Sequence, residues 1–192
     1  MEVTGMPGAP SSTSSPGDAK SSRERSYLID IDPIDFDGVF ANREQMFELI
    51  PHRHEMALLD RIVWASESSL NGVGAMKIRG DEFWVRGHFP GKPMLPGVLM
   101  VEAGAQLSCF LFNRLQENPQ IAAFLRIESA AFRKSVTVGD ELFLLCDVVK
   151  ASPKRFVSEI QGIVDGQVCF DARISGMRIA DIEPSPEQNA GQ

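Results

Sequence analysis

A histidine and a glutamate stand fourteen positions apart in the most distinctive stretch of the chain, Arg86-Gly-His88-Phe-Pro-Gly-Lys-Pro-Met-Leu-Pro-Gly97-Val-Leu-Met-Val-Glu102-Ala103. A neutral imidazole in a partly dry site is a serviceable general base near pH 7. A carboxyl group among apolar neighbours resists ionisation because desolvation penalises its charged form, and a carboxyl that keeps its proton can donate it. Between the two, Gly97 opens a run that reads as helix. Free N–H groups at a helix N-terminus, with the dipole behind them, stabilise a developing negative oxygen. A base, an acid and an oxyanion site together suit removal of a proton alpha to a carbonyl followed by loss of a β-leaving group. His88 and Glu102 each have a plainer reading too: a loop histidine bonded to backbone, and a glutamate favoured by the dipole in the first turns of a helix.

The elements that must position these groups follow from the surrounding pattern. Pro90, Pro93 and Pro96 fix φ, while Gly87, Gly91 and Gly97 reach conformations closed to other residues, so the loop holds one shape. From Val98 to Leu115 the helix is apolar on nearly every side, interrupted only by Glu102, Gln106, Ser108, Asn113 and Arg114. Such a segment is buried all round, and its polar residues make it the central helix of a core rather than a membrane span. Asn42 with Gln45 forms a capping box for a short helix over Arg43–Ile50, which Pro51 ends. Strands are expected over Met56–Trp64, Leu70–Arg79, Ala122–Phe132, Glu141–Lys150, Arg155–Val164 and Gln167–Ile179, with Gly72 and Gly74 marking a bulge and Asp165-Gly166 a hairpin turn. The fold class is α+β, an antiparallel sheet wrapped round one helix. It occupies residues 42–180, preceded by an extended acidic arm over 27–41 and flanked by disordered tails over 1–26 and 181–192.

Composition narrows the function classes. A net charge of −7 and a pI near 5.0 argue against nucleic-acid binding. Cys109, Cys146 and Cys169 form no CxxC pair, so neither a disulfide framework nor a zinc knuckle is expected. His52 and His54 lack a third ligand nearby, which leaves them turn and hydrogen-bonding roles and no metal. With no basic segment followed by an apolar one at its start, the chain reads as cytoplasmic.

The segment from His88 to Ala103 closely resembles the active-site stretch of FabZ-type (3R)-hydroxyacyl-[acyl-carrier-protein] dehydratases. The resemblance extends to Leu49-Ile-Pro-His-Arg, to Leu58-Leu-Asp-Arg-Ile, and to Phe132-Arg-Lys ahead of Val138-Gly-Asp, covering roughly residues 43–179. It implies a hot-dog fold and a homodimer whose sites lie between protomers, histidine of one chain facing glutamate of the other, with a hexamer as the larger assembly. It implies that His88 takes the C2 proton of a 3-hydroxyacyl thioester, that Glu102 protonates the departing C3 hydroxyl, and that the Gly97 N–H polarises the carbonyl. Val98, Phe89 and Pro96 would complete the oxyanion and substrate site, and no cofactor would be needed. The partner would be acyl carrier protein bearing the acyl group on phosphopantetheine, met by Arg126, Arg133 and Lys134. Glu102, where a relative that also isomerises the double bond carries Asp, favours the simple dehydratase. The departures are His54-Glu55 after Pro-His-Arg, where the family has an aromatic residue and a proline, and Ser135 and Val138 at family prolines. Another hot-dog activity, an acyl thioesterase or a CoA-ester hydratase, or a non-catalytic acyl-binding scaffold subunit, are the alternatives.

Overall fold

The computed structural model describes residues 27–182, so the tail over 1–26 and all but the start of the tail over 181–192 lie outside the described residues. In chain order the elements are α1 (Arg43–Leu49), a 3-10 turn (His54–Met56), β1 (Arg61–Ala65), β2 (Asn71–Lys77), α2 (Gly97–Arg114), β3 (Gln120–Phe132), β4 (Glu141–Ser152), β5 (Arg155–Val164) and β6 (Gln167–Asp181). The strands form a six-stranded sheet in the order β1-β2-β4-β5-β6-β3, antiparallel at every pairing. The capping box is present as expected: Asn42 accepts from the Gln45 amide, and the Gln45 side chain accepts from the Asn42 amide. Asp165 and Gly166 both take positive φ, the conformation a two-residue hairpin of this hand requires.

The sheet curls round α2. Phe110, Leu111 and Phe112, any of which could have lined a tunnel, are at most 2% exposed and belong to the core. Asn113 clips the end of the helix in place, donating to the carbonyls of Leu49 and Gln120 and accepting from the Gln120 amide. It thereby ties α1, α2 and the start of β3 together.

Two expectations need correction. The bulge belongs to β1, between Ile62 and Trp64, not to the glycine-bearing β2. Gly72 and Gly74 serve packing instead: a Cβ on Gly72 would stand 2.9 Å from Leu111 Cδ2 of α2, and one on Gly74 would stand 3.3 Å from Leu59 Cδ2. The first strand is also shorter than its apolar run suggested, because residues 54–56 turn; Asp60, just before the strand, accepts from the Lys77 amide and the Arg79 guanidinium.

Residues 27–41 lie across the outer face of the sheet, the face turned away from α2. Ile34 is buried there with Val63, Val73, Ala75, Leu145 and Ile163. Phe36 meets Phe143 edge to face at 4.9 Å, and Tyr27 donates to the Gly166 carbonyl. Arg61 fastens the segment by donating to the carbonyls of Phe36 and Gly38.

Candidate active site

The loop ahead of α2 is built as stiffly as its sequence implies. Phe89-Pro90-Gly91-Lys92 closes with the Lys92 amide on the Phe89 carbonyl, and Gly91 takes φ +76°, the type II arrangement with Pro second and Gly third. The His88 carbonyl accepts from the Met94 amide at 2.8 Å, and His88 Nδ1 lies 2.8 Å from the Met94 carbonyl. A carbonyl only accepts, so Nδ1 carries the hydrogen and Nε2 keeps its lone pair. The Phe89 ring stacks on the imidazole with centroids 4.1 Å apart. Half-buried His88 lines an open cavity of about 850 Å³ with Met94, Gly97, Val98, Phe132, Arg133 and Lys134 among its walls.

At the start of α2, Pro96 is the N-cap and its carbonyl accepts from the Leu99 and Met100 amides. Among the described residues, the Gly97 and Val98 amides have no acceptor, as expected of the first turn of a helix. A Cβ on Gly97 would come within 2.7 Å of the Phe132 ring, so the missing side chain is what lets an aromatic ring lie against the helix entrance. Val98 is 72% exposed at the rim.

Glu102 sits one turn further on and opens into a different cavity, of about 410 Å³, which it lines with His52, Ala105, Cys109, Ala122, Phe124 and Phe156 among others. Its surroundings are not the apolar cage that its sequence neighbours suggested. Gln106 donates to Glu102 Oε1 at 2.9 Å, and His52 Nε2 stands 3.4 Å from the same oxygen. Gln106 is itself fixed, donating to the Met56 carbonyl at 2.7 Å and accepting from the Leu58 amide at 3.1 Å. Burial lowers the pKa of His52; the Glu102 charge raises it by less, and Arg53 pushes it down again.

Within the chain, then, the imidazole of His88 and the carboxyl of Glu102 stand in separate cavities. Strand β3 joins them. Ala122, Ala123 and Phe124 near its start border the Glu102 cavity, and Phe132 at its end borders the His88 cavity.

The FabA-like domain family matches residues 50–173 of the chain. The 3-hydroxyacyl-[acyl-carrier-protein] dehydratase FabZ of Ralstonia nicotianae is 33% identical over 138 residues, 69% of this chain and 83% of the relative. The protein of the same name from Exiguobacterium sibiricum is 35% identical over 133 residues, 69% of this chain and 94% of the relative. The chain belongs to the FabZ-type dehydratases. Among solved structures, the dehydratase heterocomplex ApeI:P of Xenorhabdus doucetiae superimposes with a TM-score of 0.61 at 16% identity, covering 77% of this chain and 97% of that one, which establishes the hot-dog fold.

For a FabZ-type chain, the basic residues expected at the carrier surface are dispersed. Arg133 and Lys134 border the His88 cavity, Arg133 paired to Asp171 at 2.6 Å, whereas Arg126 stands seven residues earlier on β3. Among the described residues no group of acidic, histidine and cysteine side chains could hold a metal ion, and no helix is long and apolar enough to cross a membrane. His52 and Gln106 are the contributors that sequence reasoning missed. The available signals were the histidine fixed between Pro51 and Arg53, and a glutamine one helical turn beyond Glu102.

Proposed function

We propose that this chain dehydrates (3R)-3-hydroxyacyl thioesters carried on acyl carrier protein to trans-2-enoyl thioesters, in fatty-acid-type biosynthesis in the cytoplasm. The observation that carries the reading is the rigid loop-to-helix segment from His88 to Glu102, in a chain whose FabZ relatives bear that name over 83–94% of their length. His88 Nε2, its lone pair free because Nδ1 is spent on Met94, takes the C2 proton. The electron pair of that C–H bond becomes the C2–C3 double bond, and the C3–O pair leaves with oxygen. Glu102 supplies the proton that makes the leaving group water. The Gly97 and Val98 amides polarise the thioester carbonyl as charge builds on it. Arg133 and Lys134, at the mouth of the His88 cavity, offer charge to the acidic carrier.

The two halves of this machinery meet in a homodimer. Every residue from Phe124 to Phe132 is exposed on both faces of β3, including Phe124, Leu125, Ile127 and Phe132 at 42–52%. An apolar edge strand of this length is a template for another strand. Antiparallel pairing with a second copy about the middle of that stretch, between Ile127 and Glu128, sets Ala123 against Phe132 of the partner subunit. The Glu102 cavity of one protomer then abuts the His88 cavity of its partner.

The test is purified protein with a 3-hydroxyacyl carrier-protein substrate, beside His88→Ala and Glu102→Gln. An enoyl thioester from wild type and losses of about 10²–10⁴-fold in the variants are expected. Free thiol instead of enoyl product would identify a thioesterase, and variants as active as wild type would overturn the assignment of both residues.

A further inference from the structure

The two oxygens of Glu102 are not equivalent. Gln106 donates to Oε1, His52 Nε2 stands 3.4 Å from Oε1, and among the described residues no hydrogen bond or ion pair reaches Oε2. We propose that His52 is a positioning residue: with Gln106 it fills Oε1 from the donor side, so that the carboxyl proton is carried on Oε2, where a substrate hydroxyl can receive it. The inference rests on Glu102 being the acid of the dehydration proposed above.

The geometry constrains both donors. Gln106 has its carbonyl oxygen committed to the Leu58 amide and one amide hydrogen committed to the Met56 carbonyl, so it meets Glu102 only through N–H. His52 is held by its neighbours: Pro51 precedes it, and the Arg53 guanidinium donates to the carbonyls of Phe47, Ile50 and His52 while lying 4.3 Å from the centre of the Phe47 ring. His52 Nδ1 is buried with no partner among the described residues. A proton there would be a buried, unpaired donor, so the neutral ring carries its hydrogen on Nε2, toward Glu102. Burial works the same way, lowering the His52 pKa and favouring the uncharged ring. The charged groups acting on that ring are Glu102 of α2 and the adjacent Arg53; β3, β5 and β6 line the shared cavity with Ala122, Ala123, Phe124, Phe156 and the uncharged run Ile174–Gly176. An uncharged ring places no positive charge beside the Glu102 carboxyl.

In one turnover the Oε2 proton leaves as part of water and the carboxylate remains, still held at Oε1. It takes up a proton again, by way of solvent, from the imidazolium that received the C2 proton. One substrate is consumed, and one enoyl thioester and one water are formed.

The experiment compares full-length wild type with His52→Gln, which keeps an N–H donor near the Nε2 position, and His52→Leu, which does not. A positioning role predicts that His52→Leu lowers kcat by about ten- to a hundredfold, short of losing the acid itself, with KM within about twofold. His52→Gln is expected to recover most of that loss. An equal loss in both variants, or His52→Leu matching wild type, would overturn the role. Independently of turnover, ¹⁵N-resolved NMR of the His52 ring should show the Nε2–H tautomer. A hydrogen on Nδ1 would also overturn it. An active wild type with an unaffected His52→Leu sinks this inference alone; a wild type that forms no enoyl thioester sinks the proposed function as well.

Discussion

Mixing two inactive proteins tests the shared site most directly. In the proposed homodimer, His88→Ala removes the base from every site, and Glu102→Gln removes the acid from every site of its own. When subunits exchange at random from equal amounts, about half of the dimers carry one of each variant. In such a dimer, one site takes His88 from the Glu102→Gln subunit and Glu102 from the His88→Ala subunit, and is whole. The other site lacks both groups. About one site in four is therefore intact, and the mixture should reach roughly a quarter of wild-type activity. Against variants reduced about 10²-fold or more, that is a rise of at least about twentyfold. The recovered activity should follow the product of the two mole fractions, peaking at equal amounts. The assay is enoyl formation after incubation, with exchange verified by native mass spectrometry of differently tagged subunits. Mixed dimers with activity still at the floor would refute the shared site, and with it the reason that His88 and Glu102 occupy separate cavities in one protomer.

Three further outcomes are expected. Ile127→Asp sets acidic groups near each other across the β3 edge and should yield a monomer by analytical ultracentrifugation, with native circular dichroism and activity lost. Gly97→Ala brings a methyl within 2.7 Å of the far edge of the Phe132 ring, which a small rotation of that side chain relieves. Its melting temperature should therefore move little while kcat/KM falls about tenfold or more, as the obstructed carbonyl is misplaced. Because the folded-state pKa of His52 lies below its ordinary 6.5, the unfolded chain binds more protons as the pH falls through 6.5 toward that lower value. Wild type should lose denaturant stability in this window relative to His52→Gln, and equal pH dependence in the two proteins would contradict the lowered pKa.

How much could be read from sequence depended on whether a feature was local. The capping box of α1, the turn at Asp165-Gly166, the stiff loop before Gly97 and the buried helix behind it were all legible, because each is decided by neighbours within a few residues. Gly72 and Gly74 read as a bulge because a strand pattern cannot reveal that Leu111 and Leu59 will press on them from elsewhere in the chain. The polar setting of Glu102 was hidden for the same reason: its sequence neighbours are apolar, while His52 lies fifty positions away and reaches it only through tertiary packing. The separation of His88 and Glu102 into two cavities was not legible in any periodicity, since it follows from the curl of the sheet round α2.

The arm across the outer sheet face accounts for an oddity in β4. Antiparallel strands with one wet face alternate apolar and polar residues, yet Leu142-Phe-Leu-Leu-Cys146 is apolar throughout. Leu142, Leu144 and Cys146 belong to the core around α2, while Phe143 and Leu145 pack with Ile34, Phe36 and the rest of the arm. The family match begins at residue 50, but the segment packed on the outer sheet face begins no later than Tyr27. A chain cut back to the family boundary would present a bare greasy sheet to water and would be collected from inclusion bodies.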